Sequence, residues 1–134
     1  MGVALRDQGR LEEAMETFNK VLLHDPNSTM TYNNIGNVLR DQGKFDEAIE
    51  AYKKSILIKP DYAEAYFNMG ITLKDKGELD EAIDAYKKSI LLSPNYCSAY
   101  NNMGVALKDQ GRLEEAIETF NKVLLHDPNS TMTY

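Results

Sequence analysis

Three kinds of residue in this 134-residue chain have side chains that could do chemistry. His24 and His126 could bind a metal or carry a proton. The neighbouring acids Glu12-Glu13, Asp46-Glu47, Asp80-Glu81 and Glu114-Glu115 could supply the two carboxylates of a glycoside hydrolase. Cys97 could act as a nucleophile. Each also has a simpler reading. The two histidines occupy one position in two copies of the same segment, each just before Asp-Pro. There a helix end favours a partial positive charge, and neither histidine has the companion Cys or His that a metal site needs. "PNYCSAYNN" offers Cys97 no base to lower its pKa. The acid pairs recur at equal intervals, as helix starts would require. The reading is a non-enzyme, with no metal and no cofactor.

A fourth set is less easily dismissed. Asn34, Asn68 and Asn102 recur in step. An amide side chain both donates and accepts, so it can pair with the N–H and C=O of a peptide backbone without reading its sequence. Two simpler fates are open to such residues, solvation and bonding between adjacent helices. Common descent of the copies would also explain their recurrence.

Composition narrows the classes. The net charge is −6, and the Lys and Arg residues are scattered among acids, a poor match for a nucleic-acid backbone. The longest apolar runs, such as Ile56-Leu57-Ile58 and Ile90-Leu91-Leu92, are far too short to span a membrane. No basic segment followed by an apolar core opens the chain. A single cysteine fits a reducing compartment, and the expected location is cytoplasmic. The sequons Asn27-Ser28-Thr29 and Asn129-Ser130-Thr131 fall where turns are expected, which accounts for Asn and Ser there.

The elements that must position these residues follow from one period of 34. Gly2, Gly36, Gly70 and Gly104 obey it, as do Gly9, Gly43, Gly77 and Gly111. So do Ala14, Ala48, Ala82 and Ala116, then Phe18, Tyr52, Tyr86 and Phe120, then Pro26, Pro60, Pro94 and Pro128. Each period holds two apolar stripes of helical spacing. In the third unit the first stripe is Ala65, Tyr66, Met69, Gly70 and Leu73, ended by Gly77. The second is Leu79, Ala82, Ile83, Tyr86, Ile90 and Leu91, stopped before Pro94. A short turn makes the two helices antiparallel. Helices are expected near 29–41, 45–58, 63–75, 79–92, 97–109 and 113–126, with further helices at 1–7 and 11–24. Gly70 and Ala82 let two backbones approach, while Tyr66 and Tyr86 fill the space beside them. No single pair can bury its apolar face alone, so the pairs must stack.

These motifs resemble the tetratricopeptide repeat (TPR). Tyr66, Met69-Gly70, Gly77, Ala82, Tyr86, Ser89 and Pro94 match its signature, as do Tyr32, Ile35-Gly36, Gly43, Ala48, Tyr52, Ser55 and Pro60. Tyr100, Met103-Gly104, Gly111, Ala116, Phe120, Val123 and Pro128 do so again. Tyr stands where Trp is frequent, and Val21 and Val123 stand where Ala is common. The resemblance implies an all-α, right-handed superhelical solenoid of antiparallel helix pairs. It divides the chain into a partial repeat 1–28, repeats 29–62, 63–96 and 97–130, and the start of another at 131–134.

The resemblance also implies that first helices line a concave groove that takes an extended segment of a protein or peptide partner. Asn33, Asn34 and Asn37 would face it, with Phe67, Asn68 and Lys74, then Asn101, Asn102 and Lys108. The row Asn34, Asn68, Asn102 is similar to the asparagine ladder in the TPR arm of O-linked N-acetylglucosamine transferase. A second TPR class grips a C-terminal carboxylate with early basic residues. Met30, Asn33, Glu64, Phe67, Ser98 and Asn101 stand at those positions here, and none is basic.

The ends raise a different expectation. Residues 103–134 repeat residues 1–32 with two changes, Arg6 to Lys108 and Met15 to Ile117. The repeated block is three units, as recent duplication or deliberate concatenation would leave it. Helix 113–126 should carry the same apolar stripe as 11–24, with no capping unit after it. The alternative function is therefore structural, a self-associating array stacked head to tail. Met1, Leu5, Ile117, Phe120, Leu124 and Tyr134 are the residues expected at that junction.

Overall fold

In the computed structural model, the backbone is described for residues 5–126 and side chains for residues 9–123. Seven helices run in order: α1 (Leu5–His24), α2 (Thr29–Asp41), α3 (Phe45–Ile58), α4 (Ala63–Asp75), α5 (Leu79–Leu92), α6 (Cys97–Asp109) and α7 (Leu113–His126). No strand occurs among the described residues. The last six helices have the bounds expected from the period, and the architecture is the expected all-α solenoid.

Turn chemistry sets those bounds. Gly43, Gly77 and Gly111 have φ of 78°, 92° and 80°, a left-handed conformation open to glycine at little cost. Beyond each, the next amide folds back on the first helix: Lys44 donates to the Leu39 carbonyl, Glu78 to Leu73 and Arg112 to Leu107. Each first helix therefore ends with its loose carbonyls satisfied. The sequon at Asn27 is a helix start, where Ser28 accepts the Thr31 amide at 3.2 Å.

The first unit differs from expectation. Two helices, 1–7 and 11–24, were expected with a turn at Gly9. The structure has one helix, α1, running through Gly9, which is not left-handed. Glycine permits a left-handed turn without requiring one, and at Gly9 the helical hydrogen bonds of α1 continue.

Within a unit, the two helices meet at glycine under an aromatic ring. A methyl group on Gly70 would sit 2.6 Å from Tyr86 Cε1. Gly36 has the same relation to Tyr52, and Gly104 to Phe120. Tyr52 and Tyr86 are fully buried. The small residue of the signature is more than small: Ser55 Oγ donates to the Thr29 carbonyl at 2.9 Å, and Ser89 Oγ to that of Ala63 at 3.0 Å. Each ties the end of a second helix to the start of its own first helix.

Stacking then gives the array its shape. The first helices α2 and α4 touch, as do α4 and α6, whereas among the described residues α3 and α5 do not. Close inner helices and splayed outer ones make the first-helix side concave. The register is repeated along one edge, where Lys76 Nζ lies 2.6 Å from Asp46 and Gln110 Nε2 donates to Asp80 at 2.5 Å. These exposed contacts set alignment more than stability.

The three ring positions make a natural comparison. Tyr52 donates its hydroxyl proton to Asn37 Oδ1 at 2.6 Å. Tyr86 faces a unit with Ile71 at the Asn37 position, and its hydroxyl is buried without a partner among the described residues. Phe120, opposite Val105, has no hydroxyl. Tyr86→Phe should therefore be neutral or stabilising, by up to about 1 kcal/mol, while Tyr52→Phe should cost about 0.5–1.5 kcal/mol. Urea denaturation of the two variants checks the order. Burial also raises the Tyr86 phenol well above its ordinary value of 10.0. The unfolded chain then loses that proton first, so wild-type stability should fall as pH rises above about 10, less steeply in Tyr86→Phe.

Candidate functional site: the concave face

The inner face is built from α2, α4 and α6, and the structure sorts the expected groove residues into three groups. Asn33 and Asn68 form the first group. Asn33 is 1% exposed and Asn68 8%. Asn68 Nδ2 donates to Asn33 Oδ1 at 3.0 Å, across the α2–α4 contact. Asn33 Nδ2 donates in turn to Glu64 Oε2 at 3.4 Å, which also accepts from the Tyr62 hydroxyl at 3.1 Å. Burial, then the Glu64 bond, raises the Tyr62 pKa. The expectation of a surface side chain at Asn68 is corrected here: its amide is spent between helices. An adjacent asparagine, Asn33, was the signal for this, since the third unit has Asn68 within reach of it while the fourth sets Asn102 against Phe67.

Asn34 and Asn102 form the second group. Both are half-buried, and their amides make no hydrogen bond among the described residues. Asn101 is also half-buried, as is Asn37, whose carbonyl holds the Tyr52 hydroxyl. The third group gives the groove its apolar and charged character. Phe67 stacks on Tyr96 at a centroid distance of 4.9 Å and tilts against Tyr86 at 6.1 Å. Lys74 is half-buried and Lys108 exposed. Arg40, one unit before Lys74, has a buried Nη1 without a hydrogen-bond partner among the described residues, and its charge opposes the burial-driven rise of the Tyr52 and Tyr86 pKa values.

The residues with catalytic side chains do not gather. His24 is exposed at the end of α1, and Cys97 is a free, half-buried thiol at the start of α6. Asp46, Asp80 and Glu115 sit in first turns and meet Lys76, Gln110 and Arg112. No three His, Cys, Asp or Glu residues cluster among the described residues. Of the junction residues, Ile117 is 59% exposed and Phe120 is half-buried against Gly104. The side chains of Met1, Leu5, Leu124 and Tyr134 lie outside the described residues, as does segment 131–134.

One feature of the outer face was missed in the sequence. The splay of α3 from α5 opens a cleft of about 680 Å³, floored by Ile49, Tyr66, Met69 and Leu73 and edged by Lys53 and Leu91. The stripes assign these side chains to a core, and Ile49 and Leu73 are indeed buried, while Tyr66 and Met69 stay half-buried beside the cleft, which a linear sequence does not show.

Profiles described as "TPR repeat" match residues 36–77 and 72–111, and profiles described as "Tetratricopeptide repeat" match 97–130, 17–50 and 1–28. The chain belongs to the tetratricopeptide-repeat family. Two crystal structures of MamA resemble it with TM-scores of 0.82. One is 31% identical over 92% of this chain and 67% of its own, the other 30% identical over 100% and 81%. The first TPR of Spaghetti (RPAP3), bound to the HSP90 peptide SRMEEVD, is 27% identical with a TM-score of 0.72, covering 78% of this chain and 83% of that one. No curated protein matches. No helix among the described residues of this TPR array is long and apolar enough to cross a membrane.

The Asn33–Asn68 bond makes a specific demand on stability. Asn68→Ala would leave Asn33 Oδ1 buried without its donor, at a cost of about 1–3 kcal/mol. Asn33→Ala should cost a similar amount, and the double variant less than the sum. A double-mutant cycle by thermal or chemical unfolding measures the coupling, and strict additivity would rule the bond out.

Proposed function

We propose that this TPR array is a protein-interaction scaffold that holds an extended segment of a partner on its concave face, across units 29–62, 63–96 and 97–130. The observation that carries this reading is the pair Asn34 and Asn102, two half-buried amides two units apart with no partner among the described residues. Each can accept from one backbone N–H and donate to a backbone C=O. Phe67, between them, offers an apolar surface beside Tyr96. The likeness to the asparagine ladder of the O-linked N-acetylglucosamine transferase arm belongs to this reading in a modified form. Its outer rungs, Asn34 and Asn102, are open, and its middle rung, Asn68, braces the scaffold. A cytoplasmic setting is part of the same reading and rests on the lone cysteine.

The TPR of Spaghetti holds the acidic peptide SRMEEVD. A carboxylate grip of the basic kind does not suit this groove, because Glu64 and Phe67 stand where early basic residues would be needed. Recognition through backbone amides suits it better and tolerates variation in ligand sequence.

Calorimetry with several unrelated extended peptides tests the reading. Asn34→Ala and Asn102→Ala should each weaken all of the peptides alike, by about 0.5–1.5 kcal/mol, while the melting temperature stays within error. Affinity unchanged in both variants for every peptide would remove the amides from the site.

A further inference from the structure

The outer cleft above α4 is the property of one junction. Tyr66 and Met69 lie half-buried at its base, with Ala85 of α5 beside them. One unit on, between α5 and α7, their counterparts Tyr100 and Met103 are buried, at 6% and 7% exposure. The floors of the two junctions differ in one side chain. Thr119 replaces Ala85; it is buried, and its hydroxyl donates to the Glu115 carbonyl at 2.8 Å. The smaller alanine leaves the α3–α5 junction open.

The cleft runs along the helices. Glu81 and Asp84 flank one end, and Lys53, Lys88 and Leu91 the other, all of them exposed. From Glu81 to Leu91 the α5 helix rises about 15 Å. Among the described residues Glu81, Asp84 and Lys88 form no ion pair, and Lys53 meets only Glu50, at 3.9 Å. Walls and floor are helices, whose backbone groups bond internally, so no open backbone edge lines the cleft. An extended chain laid on Tyr66 and Met69 would bury its own amides unpaired. A helix satisfies its amides internally.

We propose that this cleft docks an amphipathic helix of a partner protein, about three turns long, acidic at its start and basic at its end. Its apolar residues, spaced i, i+3, i+4 and i+7, rest on Tyr66, Met69 and Leu91. The flexible Met69 adapts to their shape. Charge fixes the direction. Helices favour acids in the first turn and bases in the last. Running antiparallel to α3 and α5, such a helix lays its acidic start over Lys53 and Lys88 and its basic end over Glu81 and Asp84. Its macrodipole then also opposes theirs. The site is independent of the concave groove, and either can fail without the other.

A labelled synthetic peptide of about three helical turns tests it, with acids in the first turn, leucines at i, i+3, i+4 and i+7, and lysines in the last turn. Fluorescence anisotropy gives affinity, the Met69 methyl resonance gives location, and circular dichroism verifies that each variant is folded. The peptide should bind and shift the Met69 methyl signal. A version with proline at its centre should bind at least about tenfold more weakly, because it cannot form the helix. The double variant Lys53→Glu/Lys88→Glu should weaken binding at least about fivefold; both positions are exposed, so folding is retained. Lys122→Glu makes the same change at the exposed counterpart of Lys88 beside the closed junction, and should bind like wild type. Ala85→Thr, which copies the next unit, should weaken binding at least about tenfold by filling the cleft. No binding, a silent Met69 methyl, or equal binding by the proline version overturns the proposal. So does affinity that is unchanged in the double variant or lost in Lys122→Glu. Undiminished binding by Ala85→Thr overturns the role given to Ala85.

Discussion

The contact on which this structure rests is a glycine beneath an aromatic ring. At Gly36, Gly70 and Gly104 no side chain larger than hydrogen fits under Tyr52, Tyr86 and Phe120. That absence lets each first helix lie close against its second. The first helices can then touch along the inside while the second helices splay outside. Concavity, groove and outer cleft all follow from this one spacing. It also explains why the polar end of each ring matters. The hydroxyl passes the glycine and emerges among first-helix residues, where Asn37 receives it in one unit and no described residue receives it in the next.

Much of this was legible in the sequence because the determinants are local and repeated. Glycines in register mark turns, prolines mark ends, and apolar stripes of helical spacing mark faces. These signals placed α2 through α7 correctly. They failed at Gly9, where the same residue in the same register continues a helix. Glycine permits a left-handed turn without imposing one; a first helix that packs against the second imposes it. Periodicity reports the permission, and only the neighbouring segment supplies the cause.

Of the positions expected on the groove, Asn34, Asn37, Asn101 and Asn102 are half-buried, while Asn33 and Asn68 are buried between helices. Identical residues at equivalent positions, however, do not share one environment. Asn68 is buried because unit two places Asn33 opposite it, whereas Asn102 meets a unit with Phe67 there. A repeat protein is periodic in backbone, and its chemistry is set by pairs that straddle units. Such pairs join residues about one period apart, which a reading by single positions passes over. The same reasoning applies to Tyr86 and Ile71. The outer cleft escaped for another reason, since it depends on how far two helices diverge.

For the proposed scaffold, the central claim concerns where a ligand lies. The most direct measurement is a nuclear magnetic resonance titration with an extended peptide, observing the asparagine side-chain amides. The account predicts shifts at the Asn34 and Asn102 amides and at the Phe67 ring, with Asn68 little changed. Shifts gathered instead around Tyr66, Met69 and Leu91, on the outer cleft, with Asn34 and Asn102 silent, would contradict it.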